Sequence, residues 1–322
     1  MTAAVRAHHS AAAFDTRAEK TVKGTVTQYR FSNPHIYITL DVKNDDGTTT
    51  SMEVEAGAAS VLNGLGFTKD SLKVGDIVTV VGNPSRKTPN GFLLGKDLHK
   101  SDGTYVPLNI ASRSAYEARV NVTATSIAGT WFPPFRGLGT YGGVARKFQL
   151  TDKGRAAAKL GTSMETTQKD CIPLGEPMLM FYPVASTIEV QKDRVLLKVD
   201  WMDTERIVYM DGRKHPPASQ TFLHGHSVGR WEGKALVVET TNFSEHATGL
   251  SSSMPSSTQK KLTERFELGA DGKTLQYSGT VEDPAYLTAP GQFSGTWEYR
   301  PNMPHSNQKC DVELAQRFLK ER

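Results

Sequence analysis

The stretch Phe222–Phe243 places a histidine and an acid in a pattern that could transfer protons. Alternating apolar and polar residues flank Glu232-Gly233, so the sequence predicts a hairpin that turns at this pair. This register sets His226 opposite Glu239, and directly opposed residues on one face lie about 5 Å apart at Cβ. A carboxylate there would orient the imidazole and raise its basicity, as general acid–base catalysis requires.

The alternative is a surface hairpin in which His226 and Glu239 only satisfy each other's hydrogen bonds. We expect the imidazole to face the interior of a barrel, with His224 and Arg230 on the same face by the two-residue period of a strand. Ser227 points to the opposite face, and no phosphate-binding loop or dinucleotide fingerprint follows a strand. The pattern favours cofactor-free acid–base chemistry over nucleophilic or redox catalysis.

The segment Arg206–Pro217 supplies a second group of polar side chains. Its alternating members are Tyr209, Asp211, Arg213 and His215. Only ten residues separate His215 from His226, so both can reach one end of a barrel. Zinc would need three or four ligands in tight geometry, and the spacing of the histidines is too loose to favour it. We therefore expect neither a metal nor a cofactor, with metal binding through His8, His9, His215 and His226 as an alternative.

These two segments define a predicted site for a small, partly apolar organic molecule. The predicted catalytic residues are Tyr209, Asp211, His226 and Glu239, and the predicted substrate-binding residues are Arg213, His215, His224, Arg230 and Asn242. The groups suit a cofactor-independent elimination, isomerisation or hydration. The alternative is a non-catalytic periplasmic protein that binds a ligand or acts as a scaffold.

Composition limits the classes to which the chain can belong. Its 322 residues are 38% hydrophobic and 22% charged, with 28 Gly and 16 Pro, which is typical of a turn-rich β protein. No apolar run reaches the length of a membrane-spanning helix. Residues 19–108 carry ten basic and ten acidic side chains, so counterion release would contribute little and we expect no nucleic-acid partner.

The strand pattern predicts an all-β, mainly antiparallel protein with few short helices. We predict an extended segment at 1–18, an OB-like barrel at 19–108, a linker at 109–124 and a larger barrel at 125–322. The first barrel is indicated by five strands with a helix between the third and fourth. Successive hairpins indicate the second, and Gly129-Thr130-Trp131 resembles the opening motif of calycin (lipocalin-like) barrels.

Shorter elements are predicted around the second barrel. Helices are expected at 154–160 and 311–320, with the latter packing on this barrel. Segments 131–147, rich in Gly and Pro, and 242–259, rich in Ser, Thr and Met, are expected to be loops, either lids over the barrel mouth or unstructured surface insertions.

The two cysteines, Cys171 and Cys310, belong to no metal or redox motif. The residues Ala-Val-Arg-Ala before His8 loosely resemble a signal-peptidase site, although no apolar leader precedes them. We therefore predict a periplasmic or secreted protein, with its leader removed, in which the cysteines pair. A cytosolic protein with two free thiols is the alternative.

The segments RIVYMDGRKHP and GHSVGRWEGKALVVETTNF resemble the motifs of a family of uncharacterised bacterial exported proteins. The AHHS, NPH and VGD stretches resemble an OB-like domain of unknown function found in such proteins. The shared positions are Tyr209, Asp211, Gly212, Arg213, His215, His226, Arg230, Trp231, Glu232 and Asn242. The family has Asp at the position of Glu239 and an apolar residue at that of His224. The resemblance implies the fold and export rather than an activity.

Overall fold

The computed structural model describes residues 13–109, 122–134, 136–160 and 167–317. Contacts within the chain divide it into two compact units. Unit 1 comprises residues 1–118, 168–171 and 305–322, and unit 2 comprises residues 119–167 and 172–304. The predicted second domain ran on to residue 322, whereas the C-terminal segment belongs to unit 1. Most of the predicted N-terminal segment, residues 1–12, and most of the linker lie outside the described residues.

Unit 1 is a closed, five-stranded barrel with a sixth short strand at one side. The strands are β1 (Lys20–Arg30), β2 (Tyr37–Lys43), β3 (Thr49–Glu55), β4 (Ile77–Pro84), β5 (Phe92–Lys100) and β6 (Tyr105–Pro107). They pair in the order β3-β2-β1-β4-β5-β6, and parallel pairing of β3 with β5 closes the barrel. Helix α1 (Ala59–Asn63) lies between the third and fourth strands, which confirms the predicted OB-like order.

Period-two alternation builds this first barrel. Val22 and Val26 of β1 are buried while their neighbours are exposed, and Ile38 and Leu40 of β2 are fully buried. The turn between β2 and β3 contains Gly47 at φ +82°, a conformation that favours glycine. Local sequence signals therefore suffice to set these strands.

The C-terminal segment packs against the first barrel. Helix α4 (Val312–Arg317) buries Leu314 against Phe14, Tyr37 and Phe92. Arg30 of β1 forms an ion pair with Asp311 at 2.7 Å. Cys171 and Cys310 form a disulfide that ties this segment to residues 168–171. The helix expected at 311–320 thus exists over its described part, but the prediction that it packs on the second barrel was wrong.

Unit 2 is a closed barrel of nine strands. Its strands are β7 (Gly129–Phe132), β8 (Ser186–Val190), β9 (Arg194–Val199), β10 (Thr204–Tyr209), β11 (His226–Glu232), β12 (Ala235–Thr241), β15 (Lys261–Leu268), β16 (Thr274–Glu282) and β17 (Gly291–Tyr299). The closed order is β10-β11-β12-β15-β16-β17-β7-β8-β9. Neighbours are antiparallel except β10 and β11, which the long connection 210–225 joins in parallel.

Large side chains fill the interior of the second barrel. Phe266, Tyr277 and Trp297 lie on its inner face and are at most 1% exposed. Their rings contact one another, and Tyr277 also contacts Phe293 at 5.4 Å between ring centroids. Trp131 of the calycin-like motif is buried as well, and its indole N–H donates to the Ile127 carbonyl. The inner face is therefore a packed core with a few polar groups.

Both segments predicted to be loops contain regular structure, so those predictions were wrong. Helix α2 (Gly137–Ala145) forms in the Gly-rich segment because Tyr141 is buried among aromatic rings and donates to the Leu250 carbonyl. Strands β13 (His246–Ser251) and β14 (Met254–Ser256) form a small sheet in the Ser-rich segment. Tertiary packing overrides weak local propensity at both places.

The predicted helix at 154–160 is present as α3 (Asp152–Leu160), and residues 178–181 form one turn of 3₁₀ helix. Within the described ranges, every helix is too short or too polar to traverse a lipid bilayer.

Candidate functional site

The hairpin formed by β11 and β12 turns one residue later than predicted. Glu232 pairs with Ala235, so the two central residues are Gly233 and Lys234. Gly233 has φ +62°, and glycine at the first central position is the mark of a type II′ turn. The pairing predicted for His226 is consequently wrong by two residues, and His226 lies opposite Thr241. A register shift of two residues leaves His226 and Glu239 on the same face of the sheet as each other.

That face is the outer wall of the barrel, not its interior. Ser227 and Gly229 are buried on the inner face, whereas His226 and Val228 are only half-buried. Glu239 lies on the same outer wall, next to buried Val238 and Thr240. The expectation that the imidazole faces inward was therefore wrong, because the buried positions of this strand are those of Ser227 and Gly229.

On the outer wall, His226 contacts two of the predicted residues. Its Nδ1 lies 2.9 Å from Nδ1 of His215, so one imidazole donates a hydrogen bond to the other. The Tyr209 ring stacks on His226 at 5.2 Å between centroids. Burial lowers the pKa of His226, and the charges of His215 and Arg213 lower it further. We call His215, His226, Tyr209 and Glu239 the outer-wall cluster.

Glu239 meets His215 rather than His226. Its Oε1 lies 3.5 Å from Nε2 of His215, and its Oε2 lies 2.6 Å from Nζ of Lys261. The hydrogen bond from Lys261 is the main cause that lowers the pKa of Glu239. The lysine ammonium offsets the negative charge of this partly exposed carboxylate. Glu239 therefore has only a weak electrostatic effect on a nearby imidazole.

The other predicted residues of the 206–242 region hold the chain in place. Asp211 and Arg213 form an ion pair that keeps the pKa of Asp211 at about 2, and the guanidinium lies 3.7 Å from the Tyr209 ring centroid. Arg230 pairs with Glu232 at the hairpin end, away from His226. Asn242 donates to the carbonyls of Pro216, Pro217 and Gln220 and so fastens the connection.

His224 occupies a different environment from His226. Its Nδ1–H donates to Oε1 of Glu176 at 2.8 Å. The Glu176 side chain is 1% exposed and the His224 side chain 18% exposed. Within the described part of the chain, Nε2 of His224 has no hydrogen-bond partner. A buried carboxylate thus orients a partly exposed imidazole whose second nitrogen is free. We call this pair the His224–Glu176 dyad.

The charges around Glu176 keep it ionised. Burial alone would raise its pKa, but the attraction of His224, Arg206 and Lys260 outweighs burial and lowers the pKa to about 2. Lys260 is itself 2% exposed and donates to the backbone carbonyl of Glu176 at 3.0 Å. The carboxylate can therefore remain charged in an interior where a lone ion would take up a proton.

A second buried ion pair lies on the inner face of the barrel. Arg206 Nη2 donates to Glu264 Oε1 at 3.0 Å, and Nη1 lies 2.7 Å from Oε2. The Tyr277 hydroxyl donates to Glu264 Oε1 at 2.8 Å, and burial raises the pKa of this phenol. Both charged side chains are less than 5% exposed.

Sequence reasoning missed Glu176, Arg206, Lys260 and Glu264. One signal for Glu264 exists, since it stands between Leu262 and Phe266 on the apolar side of a strand. A charge at such a position needs a buried partner. Glu176 carries no comparable signal, because it lies outside strands and its partner is 48 residues away.

A depression of about 440 Å³ lies between α2 and strands β16 and β17. Val144, Ser278, Thr280 and Ser294 contribute to its lining, and none of the predicted site residues does. Among the residues described, no group of three or more His, Cys, Asp or Glu side chains has the arrangement of a metal site.

Comparison with known families extends only over the first unit. Residues 1–93 match the model of a family of unknown function (DUF6152), which covers the start of the chain and most of the first barrel. No curated protein matches the chain.

Proposed function

We propose that unit 2 catalyses cofactor-independent proton transfer on a small, partly apolar organic molecule through the His224–Glu176 dyad. The observation that carries the proposal is the 2.8 Å hydrogen bond from His224 to a buried, ionised carboxylate. It fixes the ring orientation and leaves Nε2 free to take or give a proton.

The sequence had suggested this chemistry for His226 and Glu239, but the buried pair suits it better. In both pairs an imidazole lies near an acid, yet Glu239 is ion-paired with Lys261 and 39% exposed. Phe222 and Leu223 precede His224 and are 45% and 37% exposed. Apolar side chains on the same loop favour a substrate with an apolar part.

The proposal can be tested with nitrobenzisoxazole, whose ring opens when a base removes its C–H proton. Opening breaks the N–O bond and releases a coloured cyano-nitrophenolate, so the rate is read by absorbance. We expect the His224→Ala rate to be about 100-fold below that of the wild type, as for loss of a general base. Glu176→Gln should lose at least about tenfold, because the amide keeps the shape but not the charge that orients the imidazole.

The matched control is His226→Ala, which removes an imidazole from the outer-wall cluster and should keep the wild-type rate. Loss of rate in His226→Ala but not in His224→Ala would reject the dyad. A wild-type rate equal to that of His224→Ala would favour the alternative, a non-catalytic binding or scaffold protein.

We also propose that the protein is exported to the periplasm or secreted. The Cys171–Cys310 disulfide supports this location, since such bonds persist in oxidising compartments. Fractionation of cells that express the natural gene tests it, and recovery of the chain in the cytosol with both thiols reduced would contradict it.

A further inference from the structure

Lys260 is a buried amine that the proposed reaction does not use. Its side chain is 2% exposed, and its Nζ donates to the carbonyls of Glu176 and Gly249 at 3.0 and 3.2 Å. Nζ also lies 3.9 Å from the centroid of the Phe243 ring. Within the described residues, no carboxylate lies within ion-pairing distance of this nitrogen.

This environment makes the ammonium ion of Lys260 easier to deprotonate than that of an exposed lysine. Buried lysines are normally paired with a carboxylate, and here only neutral carbonyl oxygens accept from the nitrogen. A neutral amine has two hydrogens, which match the two carbonyl acceptors and leave the lone pair free. Burial is also the main cause that lowers the pKa of Lys260, to about 8.

We propose that Lys260 is a nucleophile that forms a Schiff base with small aldehydes or ketones. The nitrogen lone pair adds to the carbonyl carbon, and a proton passes from nitrogen to oxygen to give a carbinolamine. The second nitrogen-bound proton and the hydroxyl then leave as water, so the products are an imine and one water molecule. No oxidant or reductant is needed for this step.

Lys260 follows an exposed stretch of chain. Thr258 and Gln259, which precede it, are exposed, and Lys260 itself is buried immediately before β15. Its partner carbonyl belongs to Glu176, the residue that holds His224. Lys260 and His224 are therefore both hydrogen-bonded to Glu176, one through its backbone carbonyl and the other through its carboxylate.

The experiment traps the imine on the intact chain. Benzaldehyde is added at pH 7 with sodium cyanoborohydride, which delivers hydride to the imine carbon and leaves a benzylated lysine. Peptide mapping by mass spectrometry then compares Lys260 with Lys234, an exposed lysine in the hairpin turn. We expect at least about tenfold more benzylation at Lys260, because an ordinary lysine is almost fully protonated at this pH.

The ratio of the two labels should fall as the pH is raised towards 10, since the exposed lysine then loses its proton too. Labelling of Lys234 without labelling of Lys260 would overturn the inference, as would a ratio that does not change with pH. The measurement needs no variant, so misfolding cannot obscure it. Because it reports on Lys260 alone, it can fail while the dyad still opens nitrobenzisoxazole, and the reverse also holds.

Discussion

The outer-wall cluster and the His224–Glu176 dyad bring the same two side-chain types together in opposite surroundings. Glu239 is 39% exposed and is bound by Lys261, whereas Glu176 is 1% exposed and bound by His224. Exposed ion pairs contribute little, because water and neighbouring charges screen them. A buried carboxylate keeps its full effect on the imidazole it holds. Burial of the acid, rather than the presence of a histidine, therefore distinguishes a candidate catalytic pair from a surface contact.

The largest effect is expected when a charge is removed from the buried side. Glu264→Gln leaves Arg206 without a counter-ion inside the barrel, which should lower the free energy of unfolding by about 3–5 kcal/mol. The matched change on the outer wall, Glu239→Gln, should cost less than about 1 kcal/mol. All four tryptophans belong to unit 2, so urea unfolding followed by their fluorescence reports on this barrel alone.

Equal costs for these two substitutions would show that burial does not separate the two regions. A third variant, Arg206→Met with Glu264→Leu, removes both charges and should recover most of the lost stability. If the double variant does not regain stability, the loss in Glu264→Gln comes from altered packing rather than from the unpaired charge of Arg206.

An intermediate effect is expected from pH. Burial lowers the pKa of His246, which accepts from the Thr248 N–H and donates to the Pro173 carbonyl. The folded state therefore binds a proton at His246 less readily than the unfolded state, which takes one up below about pH 6.5. Stability should fall as the pH drops below 6.5, by at most about 1.4 kcal/mol per unit from this group. Above that pH the two states bind equal numbers of protons, and no effect is expected.

His246→Gln should reduce this slope, which unfolding curves at pH 7.5 and 5.5 would show relative to the wild type. His226→Gln is the control from the outer wall. The pKa of His226 is lowered too, but the ring is half-exposed, so its contribution to the slope should be smaller. A larger change in His226→Gln than in His246→Gln would reverse the comparison.

The smallest effect concerns titration within the outer-wall cluster. Burial and the charge of His215 both lower the pKa of His226, and His215→Ala removes the charge and admits water to the ring. The pKa of His226 should rise towards 6.5, as NMR of the imidazole would show. His224→Ala should leave this titration unchanged. An unaltered His226 pKa in His215→Ala would mean that the 2.9 Å contact has no electrostatic consequence.

Much of the architecture could be predicted because it depends on local patterns. Alternation in β1 and β2 and the turn before β3 are set by neighbouring residues, and they gave the first barrel its order. Helix α2 could not be predicted, since nothing in its Gly-rich sequence favours a helix until Tyr141 enters the aromatic core.

The candidate site was less predictable than the fold. Tyr209, His215, His226 and Glu239 were predicted to converge and do so, but on the outer wall and with His215 next to the acid. Whether the turn is centred on Glu232-Gly233 or on Gly233-Lys234 decides which residues face each other, and both pairs contain the glycine that such turns favour. His224 was placed with the same group, yet its partner is Glu176.

The sequence alone determined that this chain folds into two β-barrels, because strand alternation and turn residues act over a few positions. Only the tertiary structure decided which acid meets which histidine. Glu176 and His224 are 48 residues apart, and Arg206 and Glu264 are 58 apart. Such pairs form only when barrel closure removes them from water, and that closure gives their charges the strength on which the proposed chemistry depends.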